Sequence, residues 1–395
     1  ASDVYKRQIV NSLFFFYNIS ILLQRGPIDM KHIHPDYYDK FHCIASACPI
    51  TCCKEWKIAV DDETNRHWKM LAPPDSVDEH RNNLSAYTCI KDGARVIRLD
   101  NEHNCPFLSD ERLCRLVTAY GDGVLSHTCT IFPRELHEYD THTEESLMPC
   151  CPAVIDLWRD TPVVFPSGVS QSPLFLIRDK LTGLMQDTAL MPESALLEGF
   201  YVLLELYRNE PVSCAQVQEY FSARSMQELH HAMADIHIQE ADTVDECNEL
   251  LQDLAVNYQK EGLYDGFLQD VIKETPNGSW QDFSGALAGY DTLLRNYLAN
   301  EFYSDLISPD AYNQNLEHML IQYQWIIIEY TAIRQSLFHL WNDSGRQLLY
   351  ENVRDYIVII SRMTGYDDDD IRSYLENSFE KLIWEWGYAA LIVGK

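Results

Sequence analysis

The stretch Pro192-Glu193-Ser194-Ala195-Leu196-Leu197-Glu198-Gly199-Phe200-Tyr201-Val202-Leu203-Leu204-Glu205-Leu206-Tyr207 spaces Leu196, Leu197, Phe200, Leu203, Leu204 and Tyr207 by threes and fours. That interval lays apolar side chains along one face of an α-helix. Pro192 falls in the first turn, where its missing N–H costs nothing, and Pro211 lies beyond the end, where it stops the helix. The same period recurs downstream and predicts helices over 214–222, 226–234, 240–261, 280–300, 310–341, 345–362 and 368–386. Ser308-Pro309-Asp310 is a start signal for one of them, and Gly345 and Gly365 are stops. Trp325, Tyr330, Phe338, Trp341, Trp384 and Trp386 recur at helical spacing and are read as core. Asp367 to Asp370 is read as an acidic first turn that complements a helix dipole. No internal repeat is present.

Upstream of Ser167 the texture differs. From Met30 to about Asp160 the chain is rich in Cys, His and Pro, and Trp56 to Val60 and Ala94 to Leu99 alternate like short strands. The expected fold class is mainly α: a small irregular α+β cysteine-cluster domain over 30–160, followed by an all-α helical domain over 161–395. Irregular segments bury little apolar area alone, so a metal is expected to hold the small domain together.

Residues 1–29 are set apart as a probable non-native N-terminal extension in this reading. Ser2-Asp3-Val4-Tyr5-Lys6-Arg7-Gln8 resembles translated sequencing-adapter sequence, and Met30-Lys31-His32-Ile33 looks like a natural start. The apolar stretch Ile9 to Leu23 is too short to span a bilayer, and no small-residue cleavage site follows it.

The chain has 31 basic and 60 acidic residues, a net charge of −29. Nucleic acid is excluded as a partner, because phosphate binding needs clusters of Lys and Arg that are absent. A basic partner such as a lysine-bearing protein would be attracted instead. No membrane-spanning segment is expected after Met30, and a cytoplasmic location follows from this reading.

Ten of the twelve cysteines lie between Cys43 and Cys151. Disulfide frameworks belong mainly to small secreted domains, whereas a chain of 395 residues can bury a core without them. Thiolate-rich sets select zinc or iron–sulfur clusters. The candidate metal ligands are Cys43, Cys48, Cys52, Cys53, Cys105, Cys114, Cys129 and Cys151, with His42 or His127 as substitutes. Cys89, Cys150, Cys214 and Cys247 are read as packing residues. Adjacent thiols cannot easily join one four-ligand site, so more than one centre or some spectators are expected. Paired CxxC knuckles are absent, unlike an ordinary zinc ribbon. The gaps of four and three residues also differ from the radical S-adenosylmethionine pattern, and that fold is rejected.

The ordered set Cys43-x4-Cys48-x3-Cys52-Cys53-x2-Trp56-x-Ile58-x2-Asp61, Cys105-Pro-Phe-Leu, Leu-Cys114, Gly121 to Leu125, Cys129-x3-Pro-Arg134 and Met148-Pro-Cys-Cys151-Pro152 resembles the flagellin lysine N-methylases. Its N-terminal half is similar to cysteine-cluster proteins described as zinc- or iron-chelating. The resemblance implies transfer of methyl from S-adenosylmethionine to lysine ε-amines of flagellin, by a protein carrying an iron–sulfur cluster of the 4Fe–4S type, with zinc as the alternative. Two other readings stay open: a non-catalytic zinc- or iron-chelating protein, and an iron–sulfur electron-transfer protein.

No glycine-rich Rossmann loop marks a cofactor pocket. The sequence therefore names no catalytic or S-adenosylmethionine-binding residue, and it gives no oligomeric state. The base is left among Tyr, His, Asp and Glu side chains of a pocket. Arg134 is a candidate to pair with a cofactor carboxylate or to orient the loop of Cys129.

Overall fold

The structure, a computed structural model, describes residues 31–91, 93–365 and 367–394; the extension expected over 1–29 lies outside them. The fold is mainly helical, with a small α+β N-terminal part and an all-α C-terminal part.

The small part contains β1 (Lys31–Ile33), α1 (Asp62–Trp68), β2 (Thr88–Lys91), β3 (Ala94–Ile97), α2 (Arg115–Tyr120), α3 (His127–Ile131), β4 (Arg134–Glu138), β5 (His142–Leu147) and α4 (Pro152–Trp158). β2 and β3 form an antiparallel ribbon, as the alternation of residues 94–99 predicts. Trp56 to Val60 does not become a strand; it only bridges β3 through Ala59 and Val96. The three-stranded sheet runs β1-β5-β4, with β1 parallel to β5 and β4 antiparallel to it.

The helical part follows as α5 (Pro173–Met185), α6 (Pro192–Arg208), α7 (Cys214–Tyr220), α8 (Ala223–Ala234), α9 (Glu240–Glu261), α10 (Asp265–Val271), α11 (Trp280–Leu287), α12 (Asp291–Asp305), α13 (Leu316–Asp343), α14 (Tyr350–Thr364), α15 (Asp368–Phe379) and α16 (Trp386–Val393). α13 is buried on every face, as the axis of a bundle must be. α6, α9, α12, α14 and α16 surround it. On α6, Gly199 has no room for a Cβ, which would strike Leu181 and the Tyr323 hydroxyl. Glycine there lets α6 approach close enough for Tyr323 Oη to donate to the Leu196 carbonyl at 2.8 Å.

Several helix limits differ from expectation for local reasons. The helix expected over 280–300 breaks into α11 and α12 across a 3-10 turn, Ala288–Tyr290. The one expected from 310 begins at Leu316, because Asn315 supplies the cap that accepts from His318 N. The one expected over 368–386 ends at Phe379, where Glu380 turns to φ 57°. α5 has no counterpart among the expected helices.

Two apolar cores result among the described residues. The larger runs through the helices and takes in Tyr37, Phe41 and Ile50. The smaller gathers Ile58, Trp68, Leu84, Tyr87, Phe107 and Leu116, with Cys53, Cys114 and Cys129 packed on it. Fully burying a side chain such as Trp68 contributes about 2–3 kcal/mol, and its indole N–H is satisfied by the Val124 carbonyl at 2.7 Å. Between the sheet and the bundle, Arg178 of α5 clamps Glu144 of β5 through both terminal nitrogens, the Nη2–Oε1 bond being 2.9 Å. No described helix is long and apolar enough to cross a membrane.

Candidate functional site

The thiols are brought together by loop pairing rather than by regular elements. Residues 53–55 run beside 103–105: Cys105 N donates to Cys53 O at 2.7 Å and Glu55 N to His103 O at 2.8 Å. Leu108 bridges Cys114, which starts α2, and Ser126 caps α3 so that Cys129 faces the same region. Asp61 caps α1 through Thr64 N and also accepts from His127 N at 3.0 Å, tying α1 to the start of α3. Burial alone would raise the Asp61 carboxyl, but these N–H donors outweigh it and hold it below its usual range.

Cys52 is the hub. Its charge is felt by Cys48, Cys53, Cys105, Cys114, Cys129 and Cys151, and Cys43 adjoins through Cys48. The hydrogen bond with Cys53 holds the Cys52 thiol down to about 7, assisted by the Arg362 guanidinium, while Cys53 is pushed up. Burial raises Cys129 to about 11 and Cys151 to about 12. Eight clustered thiols are the soft donors that suit an iron–sulfur cluster or zinc. Among the described residues, however, no three Cys, His, Asp or Glu side chains are close enough together to hold an ion. The donor set fits such a group in kind, and the geometry is not closed around one.

The Arg134 guanidinium lies over Tyr38 and Phe41, 5.7 and 5.3 Å from the ring centroids. Of the cysteines read as packing residues, Cys247 is buried against the Ile392 carbonyl and Cys214 donates to Gln171 O. Cys150 is buried too, but it also lines the cleft described next.

Arg362 of α14 joins the thiol loops to the bundle. Nε donates to Cys150 O, Nη1 to Thr51 O and Nη2 to Ile50 O, each at 3.1 Å, and the guanidinium sits over Trp56. Arg362 and Trp56 also line a cleft of about 1260 Å³ whose other walls are β4, the ends of α12 and α13, and the start of α15. Glu135, Glu301, Asp305, Glu329 and Asp368 are among its acids. Glu301 and Glu329 are 4% and 5% exposed. Burial first, then neighbouring carboxylates, push Glu301 and Asp305 well above the ordinary range, and burial raises Glu329 as well. His137 stands 3.5 Å from Glu135, and Asp368 accepts from the Asn313 and Gln322 amides at 3.0 and 2.8 Å. Asp367 caps α15 as the acidic first turn predicts, but Asp368 turns to the cleft.

A smaller cavity of about 450 Å³ lies around Tyr330 and Arg334. Its charges are matched within the protein, Arg334 with Glu193 at 3.4 Å and Asp291 with Arg295 at 2.6 Å. The larger cleft is the better candidate, since the acids at its floor have no such partner.

The family model for the FliB lysine N-methylase C-terminal domain matches residues 178–392, more than half of the chain. The chain belongs to the FliB lysine N-methylase family. Most of the cleft lies in the matched segment, including Glu301, Asp305, Glu329, Arg362 and Asp368. A Lysine-N-methylase of Salmonella typhimurium is 32% identical over 177 residues, which is 39% of this chain and 42% of that protein. A Lysine-N-methylase of Salmonella choleraesuis gives the same identity and coverage. The flagellar biosynthetic protein FliU of Salmonella muenchen is 33% identical over 157 residues, 36% of this chain and 87% of that protein. The match thus spans under half the length of the two Lysine-N-methylases. No solved structure matches the chain.

Sequence reasoning located the thiols but no base. A usable signal was Glu329 in the run Trp325-Ile326-Ile327-Ile328-Glu329-Tyr330, where a carboxylate on a buried helix face has to serve a partner or a ligand.

Proposed function

We propose that this protein methylates lysine ε-amines on flagellin, with S-adenosylmethionine as methyl donor, in the acidic cleft beside the thiol loops. The observation that carries the reading is a cleft whose deepest side chains are carboxylates with no Lys or Arg paired to them. Buried charges are normally paired, so such a floor suits a cationic guest, and both a lysine ammonium and a sulfonium are cations. The family and the names of the relatives support lysine as acceptor, and the name of FliU supports a flagellar substrate.

The chemical task is removal of a proton. With an unperturbed pKa near 10.4, only about one lysine amine in 2,500 is free at pH 7, a handicap of roughly 4.6 kcal/mol. A cleft that desolvates the ammonium among bases and aligns it with the methyl group can offset this. Trp56 supplies an aromatic wall, and Arg362 fixes that wall to the bundle.

Cys43, Cys48, Cys52, Cys53, Cys105, Cys114, Cys129 and Cys151 are the residues from which the ligands of an iron–sulfur cluster would be drawn, four to a cluster. When bound, it would supply a rigid core to the small domain and Lewis-acid chemistry. The test is anaerobic purification with iron, sulfide and zinc analysis, then incubation of flagellin with labelled S-adenosylmethionine. Label in methyl-lysine is expected. An iron- or zinc-loaded protein that transfers none would favour the chelating or electron-transfer readings.

A further inference from the structure

Asp305 ends α12 one turn beyond Glu301, and its carboxylate faces Glu135 of β4, Glu329 of α13 and Asp368 of α15. Every local circumstance opposes a charge there. Acids spaced i, i+4 form a like-charge pair on one helix face, and a carboxylate in the last turn opposes the helix dipole. The cations nearby are committed elsewhere: Arg362 to three carbonyls, Arg372 to Glu317 at 3.1 Å on the rim of the cleft, and His137 to Glu135. His318, in the same cleft, is 3% exposed, and its Nε2 has no hydrogen-bond partner. A structural ion-pair network would pair a Lys or Arg with Glu301, Asp305 or Glu329, as Arg372 pairs with Glu317. This floor instead collects proton acceptors around an opening large enough for a side chain.

We propose that Asp305 is the proton acceptor for the substrate amine, with Glu301 and Glu329 as positioning residues that set its basicity; this rests on the lysine-methylation reading above. Asp305 takes one proton from the lysine ammonium. The freed nitrogen lone pair then forms an N–C bond to the methyl carbon of the sulfonium donor as the C–S bond breaks, and that bonding pair leaves on sulfur as a neutral thioether. The products are an N-methylammonium, S-adenosylhomocysteine and a protonated Asp305, which returns its proton to water between turnovers. Burial and the facing carboxylates raise Asp305 above an ordinary aspartate, which brings its affinity for a proton closer to that of the amine, as a general base requires.

The test uses the full chain with its metal retained, flagellin or a lysine peptide, and S-adenosylmethionine. Asp305→Asn is expected to lower kcat on the order of 10²- to 10⁴-fold. The deficit should narrow as pH rises and when the lysine is replaced by aminoethylcysteine, whose amine is less basic. A merely structural role would give a deficit that ignores both pH and amine basicity. Glu329→Gln removes one facing carboxylate and should move the acid limb of the kcat profile to lower pH, which tests the assignment even if Asp305→Asn folds poorly. Normal turnover by Asp305→Asn with an unchanged pH profile would overturn the assignment and leave the methylase reading standing. Absence of methyl transfer by the metal-loaded wild-type protein would overturn that reading and the assignment with it.

Discussion

Arg362 Nε donates to the Cys150 carbonyl at 3.1 Å, and the same guanidinium holds the carbonyls of Ile50 and Thr51. One side chain from the bundle therefore satisfies three backbone acceptors of the thiol loops. It is only 7% exposed, so its removal leaves the buried Cys150 carbonyl without its donor, while Ile50 O keeps the Cys48 thiol at 3.2 Å. Arg362→Met is expected to cost about 3–5 kcal/mol in urea unfolding. Arg362→Lys, with a point charge in place of the planar fork, should recover only part of this. A loss below about 1 kcal/mol for Arg362→Met would show that the carbonyls are solvated and the tie is weak.

Cys52 is the thiol that the other candidate ligands surround. Cys52→Ser should remove most of the bound iron or zinc after anaerobic purification. Cys89→Ser, on the half-buried ribbon strand β2, should leave metal content unchanged. Equal metal in both variants would count against Cys52 as a ligand.

Arg178 and Glu144 are 0% and 3% exposed and form a clamp between α5 and β5. Breaking such a pair from one side strands a buried charge, so Arg178→Met is expected to destabilise by about 3–5 kcal/mol. The double variant Arg178→Met/Glu144→Met should regain part of that loss, because Glu144 is no longer stranded, while Asp179, 3.5 Å from Arg178 Nη2, still loses its partner. A double variant no better than the single one would place the clamp's value in its geometry.

Stability should depend on pH through the cleft acids. Burial first, then like charges, hold Glu301 and Asp305 above the ordinary values of 4.5 and 3.8. The folded protein keeps protons there that the unfolded chain has already released. Their stabilising contribution is therefore full below about pH 4 and is lost as pH rises through the folded values. The difference in urea midpoint between Asp305→Asn and wild type should grow in favour of the variant as pH rises above about 4, and level off once Asp305 ionises in the folded protein. A difference that stays constant above about pH 4 would mean that Asp305 keeps the ordinary acidity of an aspartate.

The helical half was legible because its apolar period persists over many turns; α9 falls on its expected limits, Glu240–Glu261. Where expected limits failed, one backbone feature decided: the turn at Ala288–Tyr290, or the positive φ of Glu380. The three-stranded sheet was not legible, since Lys31 pairs with His142 across more than a hundred residues and the short β1 carries no alternation. The thiol neighbourhood could be read because clustered cysteines are chemically distinctive. The cleft floor could not, because its acids come from β4, α12, α13 and α15, and only tertiary packing makes them neighbours.

The most direct measurement of the central claim is mass spectrometry of flagellin lysines after incubation with S-adenosylmethionine and either wild-type protein or Glu329→Lys. That substitution sets an ammonium on the cleft floor, where the substrate amine is proposed to enter. The expected result is methyl-lysine with the wild type, and at least a hundredfold less with a Glu329→Lys protein that retains its fold and the wild-type metal content, whatever that is. Methyl-lysine at wild-type levels from that variant would place the reaction outside the cleft.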